Sequence, residues 1–163
     1  MKKSGQAVII DLFVAVSVFI ILIIILTITW DLYNVRLQTR MEYDEMILKT
    51  FLISDALVKS EGVPFDWDDN PTPSVATIRQ LGLADRRGIL SDKKVEKYLS
   101  LSNADVKDIL NIGLYNYYFL IRDVNGTPYV SRGAVPQGKL AVNSGRIVVY
   151  KGGPRVMEFA LWK

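Results

Sequence analysis

AVIIDLFVAVSVFIILIIILTITW, residues 7–30, is the stretch that decides the fold. Asp11 is its one ionisable residue. A helix needs about 20 mostly apolar residues to cross the core of a bilayer, and this run reaches roughly 36 Å as a helix. A domain of this size cannot wrap so long a helix that is apolar on all sides. The run therefore predicts a transmembrane helix.

Two lysines, Lys2 and Lys3, precede the apolar run. By the positive-inside rule they stay in the cytoplasm, so the chain beyond Trp30 is expected on the outer side. A secretory signal peptide has a shorter apolar region followed by a small-residue cleavage site. This run ends in Leu-Thr-Ile-Thr-Trp-Asp, so we expect the helix to remain on the mature protein.

Asp11 is unusual, because a carboxylate inside a membrane segment is costly and normally has a partner. One interpretation places Asp11 near the membrane interface, hydrated or protonated and without a role. The other gives it a functional role, which depends on the residues just before it.

The composition excludes several kinds of chemistry. The 163 residues contain neither Cys nor His, which removes disulfides, thiolate nucleophiles, Cys/His zinc sites and histidine acid–base catalysis. We therefore expect no enzyme activity, no metal and no cofactor. The formal net charge of +3 falls to +1 if the two N-terminal lysines are removed, so we expect no nucleic-acid partner.

The helix is expected to continue to Lys59, because no Pro or Gly occurs between Gln6 and Gly62. Gly62 and Pro64 end it. From residue 46 the apolar side chains fall at helical spacing and form one stripe that packs on a domain. The stripe consists of Met46, Ile47, Thr50, Phe51, Ile53, Leu57 and Val58.

The segment after the helix is acidic. Asp66, Asp68 and Asn70 have the spacing of a calcium loop, but Pro71 replaces the required Gly and Thr77 stands where a bidentate Glu belongs. A solvated acidic turn is the favoured interpretation, with a looser calcium site as an alternative. Three short helices are predicted after it, over residues 75–81, over 92–100 behind Ser91, and over 106–112 behind the cap Ser102.

Period-two alternation begins at Tyr115, where Tyr115, Tyr117, Phe119 and Ile121 share one face. Two hairpins are predicted, with turns at Asn125-Gly126 and Gly152-Gly153 and an irregular loop over 133–145 between them. The aromatic rows are expected to form the core. The predicted fold class is α+β, a long helix packed on an antiparallel sheet of about four strands, with short helices in the connecting region.

Asn125-Gly126-Thr127 is the one N-glycosylation acceptor sequence, since Pro71 disqualifies Asn70. The alternative is that Asn-Gly serves only the backbone geometry of the turn.

The N-terminal layout, Lys2-Lys3-Ser4-Gly5-Gln6 followed directly by the apolar run, resembles the class III signal peptide of archaeal type IV pilins, in the pilin and pseudopilin family. The resemblance implies cleavage between Gly5 and Gln6 by a prepilin peptidase. It also implies that Asp11 pairs with the freed amine of Gln6 on a neighbouring subunit. Val8 stands where the family pattern has Ser, and Asp11 lies one position after the family's Glu.

Later motifs are also similar to archaeal pilin-like proteins. They are Gly62-Val-Pro64 followed by Trp67, then Gly82-Leu83-Ala84, Leu90-Ser91-Asp-Lys-Lys94 and the terminal Trp162. The implied organisation is a signal segment over 1–5, an assembly helix over 6–30, a helix extension over 31–61 and an exported head over 62–163.

The resemblance implies a structural subunit, major or minor, of a pilus-like filament at the cell surface. Its implied partners are the membrane, other pilins, the peptidase, and an assembly ATPase with its membrane platform; adhesion is one possible task of the filament. The implied location is a single-pass membrane protein with a cytoplasmic N-terminus and an extracellular head, then an extracellular filament. Two alternatives stay open: an anchored, non-polymerising binding or accessory module, and an anchored enzyme, although Asp66, Asp68 and Asp69 lie too close together for separate catalytic roles.

Overall fold

The structure is a computed structural model that describes residues 3–71, 73–137 and 140–163, with side chains described from Ile9 onward. The chain divides into an N-terminal unit, Met1–Tyr43, and a C-terminal unit, Asp44–Lys163. One α-helix, α1 (Lys3–Lys59), contributes to both units. The predicted uninterrupted helix, ending just before Gly62, is therefore confirmed.

In the C-terminal unit, α1 buries one stripe of side chains and ends where the sequence predicts. Met46, Thr50 and Leu57 are fully buried, as the helical spacing predicts. Phe51 departs from the predicted stripe, because it remains 45% exposed and lies under the Arg146 guanidinium, 5.5 Å from its ring centroid.

Five short elements connect α1 to the main strands. They are a 3₁₀ turn (Trp67–Asp69), β1 (Ala84–Arg86), β2 (Ile89–Leu90), α2 (Asp92–Ser100) and α3 (Asn103–Ile109). The predicted bounds of α2 are confirmed, but the Ser91 side chain makes no capping hydrogen bond. The Ser102 cap is confirmed, since its hydroxyl accepts the Asp105 backbone N–H at 3.0 Å. The bounds predicted for this helix, 106–112, are wrong, because α3 begins directly after its cap and ends at Ile109.

The helix predicted over residues 75–81 is wrong. This segment forms a turn held by the backbone N–H groups of Thr77 and Ile78 on the carbonyl of Ser74. Gln80 then pairs with Val63 as an isolated β-bridge. The bridge pulls this stretch into an extended path, and Ile78 and Leu81 are buried without a helix.

The main strands are β3 (Asn116–Asp123), β4 (Pro128–Gly133), β5 (Ala141–Tyr150) and β6 (Gly153–Trp162). With β1 and β2 they form a six-stranded sheet in the order β1-β2-β5-β6-β3-β4. The predicted count of about four antiparallel strands is corrected, because β2 also pairs in parallel with β5 through Ile89 and Val149. The α+β class itself is confirmed.

The β3–β4 hairpin turn contains Asn125-Gly126 as predicted, whereas the β5–β6 turn differs in detail. β5 and β6 are joined by Lys151 and Gly152, one residue earlier than predicted, and both have positive φ (50° and 72°). Positive φ at both central residues is the two-residue hairpin geometry that matches strand twist. β5 also begins at Ala141, so residues 141–145 are strand and not loop.

The predicted apolar faces of β3 and β6 form the core. Tyr117, Phe119 and Ile121 of β3 and Met157, Phe159 and Leu161 of β6 are all at most 2% exposed. Tyr117 stacks on Phe159 with ring centroids 6.3 Å apart. The prediction that these aromatics form a core and not a ligand platform is confirmed.

Polar contacts fix the direction of α1 against β5. The hydroxyls of Ser54 and Ser144 share a buried hydrogen bond of 2.9 Å, and the Arg146 guanidinium donates to Asp55 at 3.1 Å. Further along, Gly88 links the two elements, since its N–H donates to the Val58 carbonyl of α1 at 3.0 Å and its carbonyl accepts the Val149 N–H of β5 at 2.8 Å. α1 and β5 therefore run in the same direction, and we call the end of the C-terminal unit where both terminate its distal end.

Candidate functional site

The most unusual surface is the apolar segment of α1, residues 9–30. Its large apolar side chains are exposed on all sides, from 46% at Ile23 to 74% at Phe13. Within the described part of the chain, one helix, found over Ile9–Lys59, is long and apolar enough to cross a membrane, and none of its apolar window is buried. A continuous apolar surface of this size needs lipid or other apolar helices around it.

The hydroxyl groups in this segment are satisfied by the helix itself. Ser17, Thr27 and Thr29 each donate to the backbone carbonyl four residues earlier, at 2.8, 2.9 and 2.7 Å. In hydrocarbon an unsatisfied hydroxyl is costly, and this local bonding removes that cost. These three polar residues therefore do not conflict with an apolar environment.

Asp11 differs from the hydroxyl residues. Its side chain is exposed, and none of the side chains described from Ile9 onward bonds or pairs with its carboxylate. A carboxylate in an apolar surface without a partner would carry a large desolvation cost. The pairing partner that the sequence suggests, Gln6, has its side chain outside the described residues.

The processing residues are only partly described. The backbone of Lys3, Gly5 and Gln6 lies in α1, while their side chains and all of Lys2 lie outside the described part of the chain. Cleavage between Gly5 and Gln6 therefore stays a prediction.

The acidic loop is built into the C-terminal unit by its tryptophan. Trp67 is 1% exposed, and its indole N–H donates to the Gly82 carbonyl at 3.0 Å. The Lys93 ammonium bonds Asp69 and lies 3.7 Å from the Asp68 carboxylate. The hydrogen bond from Lys93 holds the pKa of Asp69 below its usual value.

Lys93 therefore supplies the counter-charge that a calcium ion would provide in this loop. Across the described residues, no group of three His, Cys, Asp or Glu side chains is arranged to hold a metal ion. The geometry gives this loop the role of a structural anchor between Gly82 and α2.

Arg132 on β4 is a residue whose role the sequence does not reveal. Its guanidinium donates to the Tyr117 hydroxyl at 2.9 Å, bonds the Leu101 carbonyl and lies 5.1 Å from the Tyr98 ring centroid. Arg132 thus connects the C-terminal end of α2 to the sheet. A cation is favourable at that end of a helix. Burial raises the pKa of the Tyr98 phenol well above its ordinary value.

The acceptor sequence lies at the tip of the β3–β4 hairpin. Asp123 is in register with Arg155, and Arg155 with Val148 near the end of β5. Asn125 and Thr127 therefore lie at the distal end of the C-terminal unit, and both are exposed.

Comparisons with protein-family models, with curated proteins and with solved structures give no match for this chain. A functional assignment must therefore depend on its own residues and geometry.

Proposed function

We propose that this protein is a structural subunit of a type IV pilus-like filament, assembled through its N-terminal apolar helix. One observation carries the proposal. The same α1 exposes apolar side chains all round over residues 9–30 and packs a single stripe into an α+β unit from Met46 onward. An element of this kind can hold a folded unit at a membrane and later pack against copies of itself.

The mechanism follows from the physics of apolar helices. In the bilayer, lipid already covers the apolar segment, so helix association gains little from the hydrophobic effect. Moving the subunit into a filament therefore needs external work, which an ATP-driven assembly machine would supply. Outside the membrane the apolar segments cover one another, because exposure of this surface to water is unfavourable.

Cleavage before Gln6 would complete the assembly segment. It would remove Lys2 and Lys3 and leave a positively charged amine at the start of α1. Asp11 is the one carboxylate in the apolar run, so it is the natural partner for that amine on a neighbouring subunit. The pair would offset part of the desolvation cost of the two charges, which each would bear in full without a partner.

N-terminal sequencing and intact-mass measurement of the chain from its native membrane test the proposal. We expect the mature chain to begin at Gln6 and to appear in sheared surface filaments. The matched variant Gly5→Leu enlarges the residue before the cut, and we expect it to stay uncleaved in the membrane and absent from filaments.

A native chain that begins at Met1 and stays in the membrane would contradict the proposal. That result would favour the anchored, non-polymerising module. A mature chain that begins beyond Trp30 would contradict both interpretations, because the apolar helix would have been a removed signal peptide.

A further inference from the structure

The structure separates two explanations for the sequence Asn125-Gly126-Thr127, which occurs at the tip of the β3–β4 hairpin. Asn-Gly is common in hairpins that need positive φ at both central residues. Here only Gly126 has positive φ, at 94°, whereas the non-glycine residues of positive φ in the described chain are Asn111 and Lys151. Asn125 therefore adopts an ordinary backbone conformation that nearly any residue could take.

The loop is held by groups other than the Asn125 side chain. The Asp123 backbone accepts the Gly126 N–H at 2.9 Å and donates to the Thr127 carbonyl at 2.8 Å. The Asp123 carboxylate accepts the Val124 N–H at 2.8 Å and a 3.0 Å bond from Arg155. Asp123 and Gly126 thus account for the turn.

The Asn125 amide and the Thr127 hydroxyl take no part in this network. Neither side chain hydrogen-bonds any described residue. Both are exposed, and a Cβ added at Gly126 would meet no atom within 4 Å. The tip is therefore open, and the two side chains that define an acceptor sequence are both available.

We infer that Asn125 is a site of N-linked glycosylation. This inference rests on the exported orientation of the C-terminal unit in the proposed function. The donor would be a glycan joined through a phosphate to a polyprenol carrier. The Asn125 amide nitrogen forms a bond to C1 of the glycan while the C1–O bond to the carrier phosphate breaks. The amide loses one proton to a base of the transferring enzyme, and the carrier phosphate leaves as the anion.

The location fits this modification. The hairpin tip lies at the distal end, away from the entry of α1 at Asp44, and the Arg155 guanidinium fixes its base by bonding Asp123 and, at 2.8 Å, the Tyr129 hydroxyl. A glycan on Asn125 would extend from a rigid support without displacing a buried side chain or a described hydrogen bond. We expect it to cover the tip of the head without affecting its core.

The test is peptide mass spectrometry on the full chain from its native membrane. Trypsin cleaves after Arg122 and after Arg132 and therefore releases residues 123–132. We expect glycan mass on this peptide, complete loss in Asn125→Gln and in Thr127→Val, and retention in Thr127→Ser. Retention in the serine variant would distinguish the acceptor chemistry from a general disturbance of the loop, since Ser and Thr both serve at this position.

A second experiment uses a cysteine label to determine on which side of the membrane the C-terminal unit lies. The chain has no Cys, so Ile147→Cys at a site 83% exposed gives a single reactive thiol for a membrane-impermeant maleimide on intact cells. Labelling without any glycan would overturn the glycosylation inference and leave the proposed function standing. Absence of labelling on intact cells, with labelling after lysis, would overturn the exported orientation and the glycosylation with it.

Discussion

Gly82 is a residue at which the backbone of the C-terminal unit leaves no room for a side chain. A Cβ at this position would lie 2.2 Å from the Ser60 carbonyl oxygen and 2.4 Å from the Gly62 nitrogen. These are backbone atoms at the end of α1, and the Gly82 carbonyl also accepts the Trp67 indole N–H. Neither the Ser60 carbonyl nor the Gly62 nitrogen can move without disturbing the Trp67 contact that anchors the acidic loop.

We expect Gly82→Ala to destabilise the folded chain by about 1–3 kcal/mol or more, since overpacking against backbone forces a shift. Thermal unfolding of the full chain in detergent, followed by near-ultraviolet circular dichroism, measures the loss. Gly145→Ala is the matched control, because a Cβ there would meet no atom within 4 Å. Equal melting temperatures for the two variants would refute the close-packing argument.

Asp11 is the residue on which assembly is expected to depend. Asp11→Asn keeps the size of the side chain but removes the charge that would pair with the Gln6 amine. We expect normal membrane insertion and cleavage, with incorporation into filaments reduced by about tenfold or more, because a buried charge would be left unpaired. Quantitative immunoblotting of membrane and sheared-filament fractions measures both.

The control for Asp11 is Ser17→Ala, in the same apolar segment. The Ser17 hydroxyl bonds its own helix at the Phe13 carbonyl, so we expect its removal to leave incorporation unchanged. Wild-type incorporation of Asp11→Asn would end the pairing proposal and leave Asp11 as a tolerated polar residue near the membrane interface.

At the scale of elements, the contact between α1 and β5 contains the clearest electrostatic link. Asp55 of α1 bonds Lys59 on its own helix and Arg146 on β5. The hydrogen bond from Lys59, opposed in part by burial, and the charges of Lys59 and Arg146 hold the pKa of Asp55 below its usual value. The carboxylate is therefore more stable ionised in the folded chain than in the unfolded chain.

The lowered pKa of Asp55 determines the direction in which the free energy of unfolding changes with pH. The stabilisation from Asp55 is present above the unfolded-state pKa, near pH 4, and is lost as the pH falls through the lower folded-state pKa. We expect Asp55→Asn to lower the free energy of unfolding at pH 7 by less than about 1 kcal/mol, since both partners are partly exposed. Below pH 4 the variant should lose less stability than the wild type.

Denaturant unfolding at pH 7 and at pH 3 measures this difference. Asp108→Asn is the control, because Asp108 is exposed and forms no ion pair within the described chain. An unchanged pH dependence in Asp55→Asn would show that the Asp55 contacts do not stabilise the fold.

At the scale of the whole molecule, the two units differ in how far they bury their own apolar side chains. The core cluster begins at Met46 and lies wholly in Asp44–Lys163, whereas residues 9–30 expose their apolar surface. Folding of the C-terminal unit should therefore not depend on the apolar segment.

We expect a chain of residues 44–163 to be soluble, monomeric and cooperatively folded. Asp44 and Glu45 would stand at the new start of α1, where negative charge favours a helix. Gel filtration and a thermal melt compared with the full chain in detergent measure this. Aggregation of the shorter chain, or a melt without a cooperative transition, would mean that the N-terminal unit is needed for the fold.

Several elements follow from the sequence by itself. α1 could be predicted because its first part is continuously apolar, its second part has a helical stripe, and no Gly or Pro interrupts it before Gly62. α2 and the buried faces of β3 and β6 could be predicted because each is long enough to show its period. The membrane-length helix and the position of Asp11 within it also come from the sequence alone.

The tertiary structure decided the remaining elements. β1 and β2 have three and two residues, too few to show a period. β2 joins the main sheet where the Val149 N–H donates to the Gly88 carbonyl. The sequence over 141–145 resembles a loop, with Asn143, Ser144 and Gly145, but the Ser144 hydroxyl finds a buried partner in Ser54 on α1.

For the glycosylation site at Asn125 as well, the sequence and the tertiary structure each supply part of the information. The sequence identifies an acceptor asparagine, but only the structure shows that Asp123 and Gly126 hold the turn without it. Local sequence determines an element when its own periodicity and turn residues suffice. Contacts between residues far apart in the chain decide short strands, parallel pairing and side-chain availability, because their stabilisation arises only after the chain has folded.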